Sequence, residues 1–334
     1  MGDFILQGQR LAPGERGRVD MPVTLLSNHM PVHLSVQVQR GRRPGPVLFL
    51  SGAVHGDEII GVEIIRRIWQ LPLLRGLRGT LLCIPIVNVH GFIAHTRYLP
   101  DRRDLNRSFP GSATGSLAAR LAHLFLEEVV GRSDYGIDMH SATLHRCNLP
   151  QIRIAPGDER LRRLAVAFQA PIIIEAPVRA GSLREAARER AVPVLLYEAG
   201  AGLRLDESSV QGGIRGVVAV MRTLGMLPVQ RERSGLRREP VMASKTQWIR
   251  APMSGLWQAC RRIGETVESQ DLLGVISDPI GDSASEVRAT QAGLLIGCAE
   301  LPVVNQGDAL FHVALSPRMA ELSTDPLFDE DEIV

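Results

Sequence analysis

The stretch from Pro46 to Glu63, PVLFLSGAVHGDEIIGVE, commits this chain to an α/β arrangement. Its apolar run, Val47 to Leu50, closes on Ser51-Gly52 and reads as a buried strand ended by a turn residue. Ile59, Ile60 and Val62 then open the spacing of an amphipathic helix. His55 and Glu58 fall at this strand-to-helix junction, where α/β proteins open their clefts. An imidazole and a carboxylate three residues apart can point at one spot, as two metal ligands must.

The alternation of periods continues downstream. Thr80–Val87, Tyr135–Met139, Gln151–Ala155, Pro171–Glu175 and Val192–Tyr197 read as strands. Leu117–Val130 behind Ser116, Glu159–Phe168, Leu183–Arg190 behind Ser182, and Val210–Leu224 read as helices. Such alternation predicts an α/β fold with a mixed, largely parallel sheet flanked by helices. Residues 1–45 form an N-terminal β segment of this domain, with Val32–Val38 alternating. The stretch from His90 to Ser116 has almost no periodicity, and a loop that long is usually functional. After residue 227 the pattern breaks. Residues 228–244 read as a linker or extended crossing segment, 245–316 as a small all-β domain, and 317–334 as an acidic tail. Within the β domain Ala251-Pro-Met-Ser-Gly255-Leu256 is echoed by Ala289-Thr-Gln-Ala-Gly293-Leu294, so two similar β units pack together.

Composition removes several classes of partner. A net charge of +2 gives no argument for nucleic acid or an anionic membrane surface, and no apolar run approaches spanning length. Cys83, Cys147, Cys260 and Cys298 lack zinc or redox spacing and read as reduced thiols. The start, MGDFILQGQR, has no basic-then-apolar signal pattern, and Leu6 breaks the myristoylation pattern. A cytoplasmic protein is expected. Homo-oligomerisation stays open, since an exposed apolar face on a β domain often pairs.

Three further segments carry chemistry. Tyr135-Gly-Ile-Asp-Met-His140 ends a buried strand in a histidine, and Tyr197-Glu198-Ala199-Gly200 ends another in a carboxylate. The long loop holds Arg97-Tyr98 and Asp104-Leu-Asn106-Arg107-Ser-Phe-Pro-Gly111. Taken singly, each reads as well as a satisfied strand-end histidine, a salt-bridged glutamate or a solvated loop. Together they bring ligand and acid/base groups to one edge of a sheet. Two histidines, one carboxylate and an open position make a catalytic zinc site rather than a structural one.

In this order, HGDE, RY, DLNRSFPG, IDMH and YEAG resemble the succinylglutamate desuccinylase/aspartoacylase family of the zinc carboxypeptidase superfamily, over roughly Pro46 to Leu227. The resemblance implies one zinc ion per chain on His55, Glu58 and His140, with Glu198 as general acid/base. It implies that Arg97 polarises the scissile carbonyl and that Asn106 and Arg107 bind a substrate carboxylate. Asp57 stands where the family often has Asn, and is expected to orient a ligand. Val89 replaces the usual Pro after Asn88. Asp138 divides evenly between supporting the metal site and a purely structural role. Arg153 and Arg179 are weaker candidates to reach the pocket, and His90, His95 and His145 read as loop residues. The β repeat resembles a biotinyl/lipoyl-type barrel-sandwich, but no lysine lies within it, since Lys245 precedes it. The implied activity is zinc-dependent hydrolysis of an N-acyl amino acid. A carboxypeptidase-like peptidase and a non-catalytic zinc-binding scaffold remain as alternatives.

Overall fold

The structure, a computed structural model, describes residues 2–229 and 239–315. The acidic tail and part of the expected linker lie outside these residues. Strands β1 (Arg16–Leu25) and β2 (Pro31–Arg40) form an antiparallel hairpin. Strands β3 (Arg43–Gly52), β4 (Arg78–Ile84), β5 (Tyr135–His140), β6 (Arg146–Ile154), β7 (Ile172–Glu175) and β8 (Val194–Ala201) follow. They alternate with α1 (Ile60–Gln70), the one-turn α2 (Val89–Ile93), α3 (Leu117–Glu128), α4 (Glu159–Phe168), α5 (Leu183–Glu189) and α6 (Glu207–Thr223). Beyond the expected linker come β9 (Val241–Ala243), β10 (Lys245–Arg250), β11 (Gly293–Ala299) and β12 (Ala309–Leu315).

The main sheet runs β10-β12-β11-β6-β8-β5-β3-β4-β2-β1. Its centre, β8-β5-β3-β4, is parallel, so the C-terminal ends of β3, β5 and β8 share one edge. Strand β6 forks the sheet: one side pairs with β8, and the other pairs with β11 near its start and with β7 towards its end. Strand β9 extends the β7 branch, so part of the expected linker is a sheet strand.

Both faces are covered, as continuous apolar strands require. Leu195, Tyr197 and Ala199 of β8 pack with Ile64, Phe168 and Val217 from α1, α4 and α6. On the other face Val194 packs with Phe125 and Ala187 from α3 and α5. The expected strand Thr80–Val87 stops at Ile84, while β6 starts five residues before its predicted start, at Arg146. Pairing with β11 supplies that extension. Strand β8 likewise runs past Tyr197 to Ala201, which puts Glu198 within a strand instead of beyond it.

The C-terminal repeat forms a two-layer β sandwich. Thr266–Val267, β11, β12 and β10 make one layer; Val303–Val304, Gly255–Ala259, Leu272–Ser277 and Ala284–Arg288 make the other. The repeats exchange strands: Val267 pairs with Gly293, and Gly255 with Val304. Each layer therefore needs both repeats, around a core containing Trp257, Ile276 and Phe311. A second apolar cluster, Leu149, Ile172, Ile174, Leu294 and Ile296, seals this unit to the α/β sheet. At that seam Cys147 and Cys298 face each other as free thiols. No helix among the described residues is long and apolar enough to cross a membrane.

Candidate active site

The parallel centre of the sheet decides where the polar residues meet. Met139 of β5 is paired with Gly52 of β3, and His140 with Glu198 of β8, so the chain leaves these strands at one rim. Between Gly52 and α1 the backbone turns through His55 to Glu58, where Glu58 N–H donates to the His55 carbonyl at 3.1 Å. Both residues precede the helix, which begins at Ile60.

His55, Glu58 and His140 are all buried, and one ligand atom from each lies within 4.8 Å of the other two. The Nδ1 atoms of His55 and His140 stand 3.2 Å apart, and each approaches the Glu58 carboxylate, at 2.8 and 2.6 Å. Two ring nitrogens this close cannot both turn lone pairs on each other; a cation that they share relieves the clash. The outer nitrogens are already committed. His140 Nε2 meets Asp138 Oδ2 at 2.8 Å, and His55 Nε2 meets Asp104 Oδ1 at 3.1 Å. An ionised carboxylate only accepts, so each Nε2 donates to its aspartate, and each Nδ1 faces the Glu58 carboxylate, where it would serve a metal once its own proton is lost. This set of two nitrogens and a carboxylate fits a divalent ion that keeps an open position.

The charges are mutually supporting. Burial pushes the Glu58 carboxyl up, but His55 and His140 outweigh it and hold it far below the usual carboxylate range. Burial opposes charge on His140, yet Asp138 and Glu58 raise it well above an ordinary histidine. Asp104 is likewise held low against its burial by His55 and Arg97.

Arg97 is tied to the same cluster. Its Nη1 donates to Glu58 Oε1 at 3.0 Å, and its Nε and Nη2 donate to Asp104 Oδ2 at 3.1 and 2.9 Å. Asn106 sits in the short turn Leu105–Arg107, and its Oδ1 accepts from Leu183 N–H at the start of α5 at 2.9 Å. Its amide NH2 has no hydrogen bond among the described residues. Arg107 is exposed, and among the described residues its side chain bonds the Asn106 carbonyl; partial desolvation, with Arg179 and Arg97 nearby, lowers its pKa despite Asp104. Glu198 stands outside the His-Glu-His group, held by Asn148 Nδ2 at 3.0 Å and Arg153 Nη2 at 3.5 Å.

Some expectations do not appear in the geometry. Among the described residues Asp57 makes no side-chain bond to the three ligand candidates, and its buried Oδ1 has no partner. The chain after Asn88 forms α2 even without the proline, because Asn88 Oδ1 caps Gly91 N–H at 2.8 Å. Asp138 supports both histidine and scaffold: it also accepts from Ser51 Oγ at 2.7 Å. Sequence reasoning missed Asp104 and Asn148. Asp104 lies inside the DLNRSFPG motif and caps Asn106 N–H at 2.8 Å, a signal that was available. Asn148 had none, since it reaches Glu198 across 50 residues of sequence.

Known proteins resemble this chain over most of its length. Residues 44–224 match the model of the succinylglutamate desuccinylase/aspartoacylase catalytic domain. The N-alpha-acetyl-L-2,4-diaminobutyric acid deacetylase of Halomonas elongata is 27% identical over 312 residues, 89% of this chain and 86% of that protein. A succinylglutamate desuccinylase/aspartoacylase structure from Rhodobacter sphaeroides is 25% identical with a TM-score of 0.78, over 90% of this chain and 95% of the other. A product-bound ectoine utilization protein of Ruegeria pomeroyi shares the fold, with a TM-score of 0.80 at 24% identity over 90% and 95% of the two chains.

Proposed function

The chain belongs to the succinylglutamate desuccinylase/aspartoacylase family, and from that premise we propose that it is a zinc-dependent amidohydrolase that removes the acyl group from a small N-acyl amino acid. The observation that carries this reading is the meeting of two inward Nδ1 atoms and the Glu58 carboxylate at one point, beside a carboxylate outside that set. A zinc ion held by His55, Glu58 and His140 would lower the pKa of a bound water to about 7 and polarise the amide carbonyl.

Glu198, on the strand beside His140, takes the proton of the attacking water and passes it to the departing nitrogen. Arg97 adds positive charge where the carbonyl oxygen becomes negative, and Asp104 keeps its guanidinium in place. The Arg107 guanidinium, which has no ion pair among the described residues, and the Asn106 amide suit a substrate carboxylate, which arginine grips through two parallel hydrogen bonds. The Halomonas elongata relative is named for deacetylation of an amino acid derivative, which supports N-acetyl amino acids as first substrates.

The test compares zinc-loaded wild type with Glu198→Ala on N-acetyl amino acids, N-succinyl amino acids and short free-carboxyl peptides, read by mass spectrometry. Wild type should release an acyl acid. The variant should keep its metal while turnover falls by about a hundred- to ten-thousand-fold. Near-normal turnover by the variant would remove Glu198 from the mechanism, and trimmed peptides would point to a peptidase instead.

A further inference from the structure

Of the two Glu198 oxygens, one is occupied. Oε2 takes both the Asn148 amide at 3.0 Å and the Arg153 guanidinium at 3.5 Å, while Oε1 takes no hydrogen bond among the described residues. A carboxylate that ferries a proton between water and a leaving nitrogen benefits from this division, with one oxygen anchored and the other facing the reactants. The register between β8 and β6 shifts here: two residues along β8, Glu198 to Gly200, match three along β6, Gln151 to Asn148, so the extra residue lies in β6 beside the asparagine that holds the carboxylate.

The C-terminal domain supports the anchor from behind. Asn148 is paired with Gly297 of β11, and Gly297 with His312 of β12, so the row runs straight from the β sandwich to the active-site strand. Gly297 is the seat: a Cβ there would stand 3.0 Å from Asn148 Oδ1 and 3.3 Å from His312 Cβ. His312 is buried and stacks on Trp248 at 4.3 Å with 5° between the rings; Arg146 lies over Trp248 at 5.1 Å. Burial, and then the nearby charges of Arg153 and Arg146, hold the pKa of that imidazole down, so it adds no further positive charge beside Arg153. Arg153 Nε is itself buried with no partner, which leaves Glu198 as the sole ion pair of this guanidinium among the described residues.

We propose that Asn148 and Arg153 are positioning residues that fix one oxygen of Glu198, and that the C-terminal β domain holds them in place through Gly297 and His312. The domain then belongs to the catalytic apparatus. This inference rests on Glu198 being the proton carrier.

The experiment uses the full-length, zinc-loaded chain and the substrate found for it. Asn148→Ala and Arg153→Gln should each lower kcat by about ten- to hundred-fold, with KM changed less than about two-fold. Gly297→Ala, which alters no residue at the site, should lower kcat several-fold. Metal content and thermal unfolding should stay those of wild type. In the Glu198→Ala background Asn148→Ala should change nothing, because its effect acts through the missing carboxylate. Arg153→Lys, which keeps the charge, should recover part of the loss.

Full additivity of Asn148→Ala and Glu198→Ala would overturn the proposal. So would an effect on KM alone, or wild-type kcat in Asn148→Ala and Arg153→Gln. If Gly297→Ala does not fold, His312→Ala takes its place, with the same several-fold loss of kcat expected; wild-type kcat there would overturn the part given to the C-terminal domain. An active Glu198→Ala enzyme would instead overturn the assignment of Glu198, so the two failures are told apart.

Discussion

Asp104 and Asp138 each bind the Nε2 of one histidine, and in doing so decide which nitrogen faces the centre of the site. Without such a partner an imidazole can rotate or change tautomer, and its affinity for a metal falls. Asp104→Ala should therefore weaken zinc binding by about ten- to hundred-fold while the fold persists, measured by competition with a chromogenic chelator. Unchanged affinity would leave Asp104 serving Arg97 alone. A second residue-scale prediction concerns His312. Burial, followed by Arg153 and Arg146, pulls its pKa down to about 3, below the ~6.5 of an unfolded histidine. Between these values the unfolded chain binds more protons. This contribution to stability is whole above about pH 6.5 and is lost as pH falls towards 3, by at most ~1.4 kcal/mol per unit. Urea unfolding at pH 7 and pH 5 should thus separate wild type from His312→Phe, with the variant losing less on acidification. Equal losses would show that His312 does not govern this range.

Helix α6 illustrates what an element needs beyond its apolar pattern. The spacing from Val210 to Leu224 marks a helix, and the helix forms, over Glu207–Thr223 with the Asp206 carboxylate capping Ser209 N–H at 2.8 Å. What the spacing does not reveal is how closely it packs. A Cβ on Gly213 would stand 2.4 Å from Ile64 of α1, and one on Gly216 would stand 2.2 Å from the Phe168 ring of α4. These glycines, poor helix formers, let three helices close over the sheet face that carries Tyr197. Gly216→Ala should destabilise the protein by about 1–3 kcal/mol in denaturant unfolding despite the better helix propensity of alanine. A gain in stability would mean that Phe168 moves aside at no cost. Two helix starts were legible: Ser116 and Ser182 cap α3 and α5 as expected, through Ala119 N–H and Glu185 N–H, both at 3.3 Å. Strand limits were less so, because β6 and β8 run as far as their partners continue to pair, and those partners come from distant sequence.

For the molecule as a whole, the C-terminal sandwich is stitched into the main sheet. Strand β11 pairs with β6, and Leu294 and Ile296 share a core with Leu149, Ile172 and Ile174. A chain cut before residue 245 would bare both the β6 edge and that apolar seam, an arrangement that promotes aggregation. We expect such a truncation to be insoluble or to elute as large aggregates in size-exclusion chromatography; a monodisperse, cooperatively unfolding product would show that the catalytic domain stands alone. The amino-acid sequence by itself determined the α/β class, the main alternation of strands and helices, the repeat and the candidates His55, Glu58, His140 and Glu198. Each of these is written locally, as a period, a cap or a motif at the end of an apolar run. The tertiary structure alone decided that Asp104 locks His55, that the expected linker supplies β9, and that a C-terminal glycine seats the asparagine that holds Glu198. These depend on register and close approach between segments far apart in the chain. Local periodicity carries no information about such contacts until the sheet is assembled.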